Sequence, residues 1–281
     1  RKENRLVLEN FDPCAVLLNN DLSSGAPDIL QNLEQTVIPP IHAGWATRRK
    51  SSFFTAYDSV AKEFSELIGI DPWLINPYFG SCGKINFSEK KGEDCVAKNA
   101  DKILLQIREK YKQYDVQEEP FVIVKADAGT YGMGVMTVKS GEEVRKLNRK
   151  QRNKMSVVKE GQPVTKVLVQ EGVYTFESIN AAVAEPVIYM IDRYVVGGFY
   201  RVHTGRGNDE NLNAPGMHFV PLSFEPSCLL PVNKTSRDYD ANRFYAYSVI
   251  ARLALLTAAL ELEKGENEPI DFVSKTSREK Q

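Results

Sequence analysis

Residues Phe121 to Val138 read FVIVKADAGTYGMGVMTV: four apolar residues, a lysine, and then three glycines, Gly129, Gly132 and Gly134, before a second apolar run. A segment such as FVIV builds a buried strand. A lysine at its end loses hydration, and a buried ammonium left unpaired is costly. Lys125 therefore calls for an anion. The glycines permit backbone conformations that turn successive N–H groups inward and let the chain approach a phosphate closely. This is not a Walker loop, because the lysine precedes the glycines and no G-K-[ST] follows. It is not a dinucleotide fingerprint either, since VMTV returns to a strand instead of opening a helix. The remaining arrangement is strand, glycine loop, strand, either a lid over a nucleotide or a mobile surface hairpin.

The rest of the chain narrows the setting. At 281 residues and 42% hydrophobic composition it can bury the cores of one large or two to three modest domains. Its 36 Lys plus Arg balance 37 Asp plus Glu, so no global field draws it to nucleic acid or an anionic membrane. Cys14, Cys82, Cys95 and Cys228 show no C-x-x-C spacing, which argues against a zinc site or a disulfide scaffold and fits a reducing cytoplasm. RKENRLVLEN lacks an initiator Met and an apolar signal core, so no targeting peptide is expected and residues preceding Arg1 are. The apolar run from Ser248 to Leu262 contains Arg252 and is short for a membrane span, so it reads as a buried helix.

Periodicity supplies the coarse elements. A strand is expected at Cys14–Asp21 and a short helix near Asp28–Gln35. Phe53, Phe54, Tyr57, Val60, Ala61, Phe64 and Leu67 recur at helical spacing, after a Pro-rich loop and the cations Arg48, Arg49 and Lys50. DPWLINPYFGSCGK reads as turns, and a helix precedes the strand at Phe121. The basic segment Arg145–Glu160 has no aromatic residues for base stacking and reads as a solvated helix and loop. VTKVLVQEGV is a strand, and AEPVIYMIDRYVVGGFYRVH is two strands joined at Asp192-Arg193, with a bulge or close approach at Gly197-Gly198. A helix from about Arg243 to Leu262 follows, then a charged tail.

VIVKADAGTYGMGVMTV resembles the lysine strand and phosphate loop of the ATP-grasp ligases, and VLVQEGVYTFE resembles their adenine hinge. More narrowly, HAGWATRRKS, KADAGTYGMG, LNRKQRNKMSVVKEG, YMIDRYVVGGFYRVH and NDENLNAPGMHFVPL are similar to the proteobacterial type of glutamate–cysteine ligase, over about Asp12 to Leu262. The resemblance implies an α/β (α+β) ATP-grasp-like fold, with the nucleotide held between two α+β subdomains and an N-terminal α/β substrate domain. The expected divisions are 1–100 for substrate, 101–175 for the lid, 176–265 for the C-terminal subdomain and 266–281 for a charged tail. It implies ATP and Mg²⁺, L-glutamate and L-cysteine as small-molecule substrates, a cytoplasmic setting, and no nucleic-acid or membrane partner.

Residue by residue, the resemblance assigns nucleotide contacts to Lys125, Ala128, Gly129, Thr130, Gly132 and Gly134. Gln170, Glu171, Gly172 and Val173 meet adenine, and Glu177 meets the ribose. Arg201, Lys125 and Asn213 attend the transferred phosphate. The usual late metal motif has no counterpart beyond Glu268 and Asp271, which leaves Glu185, Asp192 and Asn213 as metal candidates. Arg48 or Arg49 is expected to hold the glutamate α-carboxylate by a two-point contact, with His203 and Asn211 also near substrate. His42 and His203 are possible acid–base groups for the attacking amine. Two other readings stay open: a ligase with a different acceptor, and a non-catalytic nucleotide- or RNA-binding protein using the basic segment.

Overall fold

The computed structural model describes residues 1–20, 22, 25–43, 48–129, 132–157, 161, 163–222 and 242–265. Thr130, Cys228, Glu268, Asp271 and the proposed tail 266–281 lie outside the described residues. At the start, β1 (Ala15–Leu17) pairs in parallel with β2 (Thr36–Ile38), so the expected first strand is shorter than its apolar pattern. The helix expected near Asp28 is a single 3-10 turn, Asp28–Leu30, because Asn32 adopts a left-handed φ of 52° and cannot continue it.

The largest core lies between a helix and a sheet. Strands β3 (Phe79–Gly83), β4 (Val122–Ala126), β5 (Val135–Val138) and β6 (Lys166–Glu171) form an antiparallel sheet in the order β3-β6-β4-β5. Period-two alternation sends Val122, Val124, Ala126, Val167 and Val169 to one face. There they meet Val96, Ala100, Ile103 and Ile107 of α2 (Glu93–Gln113). Ile123, Lys125, Leu168 and Gln170 point the other way. The lysine thus avoids the α2 core and lies on the opposite face. The strand at β3 was read as turns, since FGSCG has little strand character. β3 pairs with β6, and α2 runs through the expected boundary at residue 100.

The basic segment forms α3 (Gly141–Arg145) and α4 (Arg149–Ser156), the second opened by a reciprocal Asn148–Gln151 capping box. Met155 anchors α4 in the main core, and Arg145 pairs with Asp94 at 3.3 Å. A second antiparallel sheet, in the order β10-β9-β8-β7, comprises β7 (Ser178–Ile179), β8 (Ala182–Ile191), β9 (Tyr194–His203) and β10 (His218–Pro221). The turn falls at Asp192-Arg193 as expected. The register slips between Tyr189 and Met190, opposite Gly197, and a Cβ on Gly198 would lie 2.4 Å from the Val187 carbonyl oxygen. Both the bulge and the close approach anticipated at this glycine pair are therefore present.

Helix α1 (Lys50–Ile68) packs Tyr57, Val60 and Ala61 against Leu253 of α5 (Arg243–Gly265). Leu67, the last residue of the expected apolar stripe, is exposed. α5 is long and apolar enough to cross a membrane by length and composition alone. It differs from the expected buried helix: Leu253, Ser248 and Thr257 are covered, while Ile250, Leu255 and Leu256 face outward. Its sequence is apolar nearly all round, yet α1 covers only one side among the described residues. Ile103→Ala is expected to cost about 2–5 kcal/mol in urea denaturation, whereas Leu256→Ala stays within about 0.5 kcal/mol.

Candidate functional site

The ligand-facing side of the first sheet carries Lys125 between Leu168 on β6 and Val135 on β5. Its Nζ lies 5.8 Å from the centroid of the Phe54 ring, which itself packs against Phe79. Burial, followed by the charge of Lys50, lowers the Lys125 pKa from 10.5 to about 8. No carboxylate raises it again.

Directly beyond it, the Ala126 N–H donates to the Gly134 carbonyl at 2.8 Å and closes the hairpin. Gly129, Gly132 and Gly134 have φ of 96°, 68° and 61°, conformations that side chains resist. Gly132 rests on another loop: an added Cβ would lie 2.9 Å from Asn211 Nδ2 and 3.4 Å from the Asn213 carbonyl oxygen. The structure therefore brings the glycine hairpin together with Asn211 and Asn213, two residues expected near substrate and phosphate. Asn211 Oδ1 accepts the Asn213 N–H at 3.0 Å, which shapes that loop.

The hinge residues divide by side. Gln170 faces with Lys125, is 8% exposed, and its Oε1 has no hydrogen-bond partner. Glu171 points into the opposite face, where its carboxylate accepts Trp73 Nε1–H at 2.9 Å and the Tyr78 N–H at 2.9 Å. Burial raises the Glu171 pKa, and these donors partly offset the rise. Its side chain thus braces the α2 side of the sheet, away from Lys125. Gly172 is required by packing, since a Cβ there would fall 2.0 Å from the Phe121 ring. Val173 is exposed. Glu177 is buried, with one oxygen accepting Arg243 Nη1 at 2.8 Å and the other the Tyr247 hydroxyl. The carboxylate expected at the ribose is therefore engaged by α5.

On the second sheet, Glu185 and Arg201 are cross-strand partners joined by an ion pair on the face opposite the Ala184–Val202 core. Arg201 Nε is buried and has no hydrogen-bond partner among the described residues. His203 is occupied. Its Nδ1 accepts the Gly205 N–H at 3.1 Å, which leaves the ring proton on Nε2 facing the Pro215 carbonyl at 3.1 Å. It braces the 205–215 loop rather than presenting a free base. Arg48 stacks on Phe53 and pairs with Glu261 of α5, so only Arg49 of the expected carboxylate-binding pair is exposed.

The metal candidates do not assemble. Asp192 sits at the hairpin tip, seven residues along β8 from Glu185 and so roughly 20 Å away. Glu185 is held by Arg201, and among the described residues no three His, Cys, Asp or Glu side chains group to hold an ion. Asp192 is therefore too far from Glu185 for the two to share one ion. Lys125 with no carboxylate partner among the described residues, and the positive-φ glycines beyond it, suit an anion better than a cation.

Lys125 on β4 and the glycines that lead from β4 into β5 thus lie together on one sheet. The sequence matches the family described as Glutamate-cysteine ligase (GshA) over residues 1–262. A solved structure from Methylobacillus flagellatus KT, named "Putative gamma-glutamylcysteine synthetase", is 67% identical with a TM-score of 0.83, over 94% of this chain and 62% of that one. No curated protein matches. The chain belongs to the glutamate-cysteine ligase family, and it spans about three fifths of the length of that solved relative.

The depressed lysine makes a stability prediction. Below pH 8 Lys125 is protonated in folded and unfolded chains alike, and the folded state bears the full burial cost. As pH rises from about 8 towards 10.5, the unfolded chain holds the extra proton, so this cost is relieved and stability increases. Lys125→Met should therefore stabilise the fold by about 1–3 kcal/mol at pH 7. Urea denaturation at pH 7 and pH 10 should show that advantage shrinking at the higher pH.

Proposed function

We propose that the chain carries the nucleotide site of an ATP-grasp-like, ADP-forming ligase that joins the γ-carboxylate of L-glutamate to the amine of L-cysteine. Membership of the glutamate-cysteine ligase family supports this reading. The observation that carries it is Lys125, largely buried with no carboxylate partner among the described residues, at the root of a hairpin with three positive-φ glycines.

The reaction has two displacements. A glutamate γ-carboxylate oxygen attacks the γ-phosphorus of ATP, the bond to the β–γ bridging oxygen breaks, and ADP leaves with that electron pair. The cysteine amine then attacks the acyl carbon of the γ-glutamyl phosphate, loses a proton, and expels phosphate. Such chemistry asks the protein mainly to place the groups and neutralise charge on the phosphoryl oxygens. Lys125 supplies a charge that burial leaves unscreened, and the Gly129–Gly134 hairpin supplies backbone donors and excludes water from the acyl phosphate. Arg201 Nε is the unused donor for the transferred group. Gln170, with its orphaned amide oxygen, faces the same side as Lys125 and suits an exocyclic amine such as that of adenine. Arg49, exposed just before α1, is the proposed contact for the amino-acid carboxylate. Mg²⁺ belongs to the expectation for such ligases, where it would neutralise charge on the phosphate oxygens.

Three measurements test the reading. ADP formation should require glutamate, with sustained turnover only when cysteine is added. Turnover with another acceptor across an amino-acid panel would make it a different ligase, and binding without ADP release would leave a nucleotide-binding protein. Lys125→Met should weaken ATP binding by about 1.5–3 kcal/mol, measured by calorimetry. Arg201→Lys retains a charge for Glu185 but loses the spare Nε donor, and should reduce kcat about 100-fold with little change in ATP affinity.

A further inference from the structure

Lys50 is the first residue of α1, yet its side chain does not join the cations beside it. Its Nζ donates to the Ala126 carbonyl at 2.9 Å and the Gly129 carbonyl at 3.0 Å, the two carbonyls that flank the entrance of the glycine loop. Between them Asp127 is 1% exposed and completely engaged. Its carboxylate accepts the Ser51 N–H at 2.7 Å and the Ser51 hydroxyl at 2.9 Å, and lies 3.3 Å from Lys166 Nζ. Its carbonyl accepts the Lys50 N–H at 3.0 Å, and its own N–H donates to the Lys166 carbonyl at 3.0 Å.

The consequence is mechanical. A lid hinged at Asp127 would have to break this network and expose a buried carboxylate, so the loop root, Ala126 to Gly129, belongs to the rigid part of the fold. Lys50 is the only side chain among the described residues shown gripping both sides of that root. It is also close enough to Lys125 to lower its pKa. One ammonium thus fixes the loop's take-off angle and stands beside the cation proposed to meet phosphate.

We propose that Lys50, with Asp127, is a positioning residue for nucleotide binding: it clamps the root of the glycine loop to the first turn of α1 so that the loop's N–H groups converge on the polyphosphate. This rests on the nucleotide reading of the loop, and the test separates the two. Amide exchange is measured in nucleotide-free protein, and affinity for a non-hydrolysable ATP analogue is measured alongside, for wild type, Lys50→Met, Lys50→Gln and Lys50→Arg. Both neutral variants should speed exchange at Gly129 and at Gly132–Gly134, and weaken analogue binding about tenfold or more. They should raise KM for ATP while KM for glutamate stays unchanged. Lys50→Arg, which keeps paired donors, should recover affinity to within about threefold. Unchanged exchange in both neutral variants overturns the clamp, whether or not nucleotide binds. Faster exchange with unchanged analogue affinity overturns the positioning role. If wild type binds no analogue, the nucleotide reading fails, and faster exchange then leaves Lys50 a structural clamp only. Lys50→Gln serves if Lys50→Met does not fold.

Discussion

The Asp127 carboxylate at the first turn of α1 is the contact on which the geometry of the site depends. Capping a helix start by a side-chain oxygen contributes about 0.5–2 kcal/mol, and a buried carboxylate meeting backbone and hydroxyl donors lies among the stronger hydrogen bonds. Here the cap comes from a strand end 76 residues further along the chain. It therefore joins two elements that sequence order keeps apart. α1 is in turn packed against α5, and the first turn of α5 brings Phe244 to the second sheet and Arg243 to Glu177. A single line of contacts thus runs from the lysine strand through both helices to the sheet that carries Arg201.

The two cations expected at phosphate are held in opposite ways. Lys125 has its ammonium on an aromatic ring with no carboxylate nearby, so its charge is available but weakened by burial. Arg201 cannot lose its charge and is already paired with Glu185. The first favours an incoming anion through relief of desolvation, the second through one spare donor. This difference would be invisible to a count of positive residues.

What the sequence disclosed was what depends on local pattern. Lys125 and the three glycines were legible because a charge after an apolar run and glycines at turn positions have few alternative explanations. The β8–β9 hairpin was legible from alternation and the Asp192-Arg193 turn, and its bulge from the paired glycines. Asp127, by contrast, gave no sign of its role, because its partners Ser51 and Lys166 lie 76 and 39 residues away. A polar residue wedged between a buried strand and a glycine loop is the hint that could have singled it out. Glu171 and Glu177 are assigned to the nucleotide by resemblance, which fixes a residue's place in a motif but not where its side chain points. Alternation places Glu171 with Val167 and Val169 on the core side, a parity readable once the register is known. For α5, composition said buried, yet burial needs neighbours, and apolar residues do not say how many there are.

The ion pair between Glu185 and Arg201 has a consequence beyond holding two strands together. An anion that reaches Arg201 must displace, or share, a carboxylate tethered one strand away, whose local concentration never falls. Glu185 is therefore a built-in competitor. It lowers the occupancy of the arginine by stray anions in bulk solution, and it stands ready to reclaim the guanidinium as soon as a bound anion begins to leave. A site made this way gives up part of its grip in exchange for faster release.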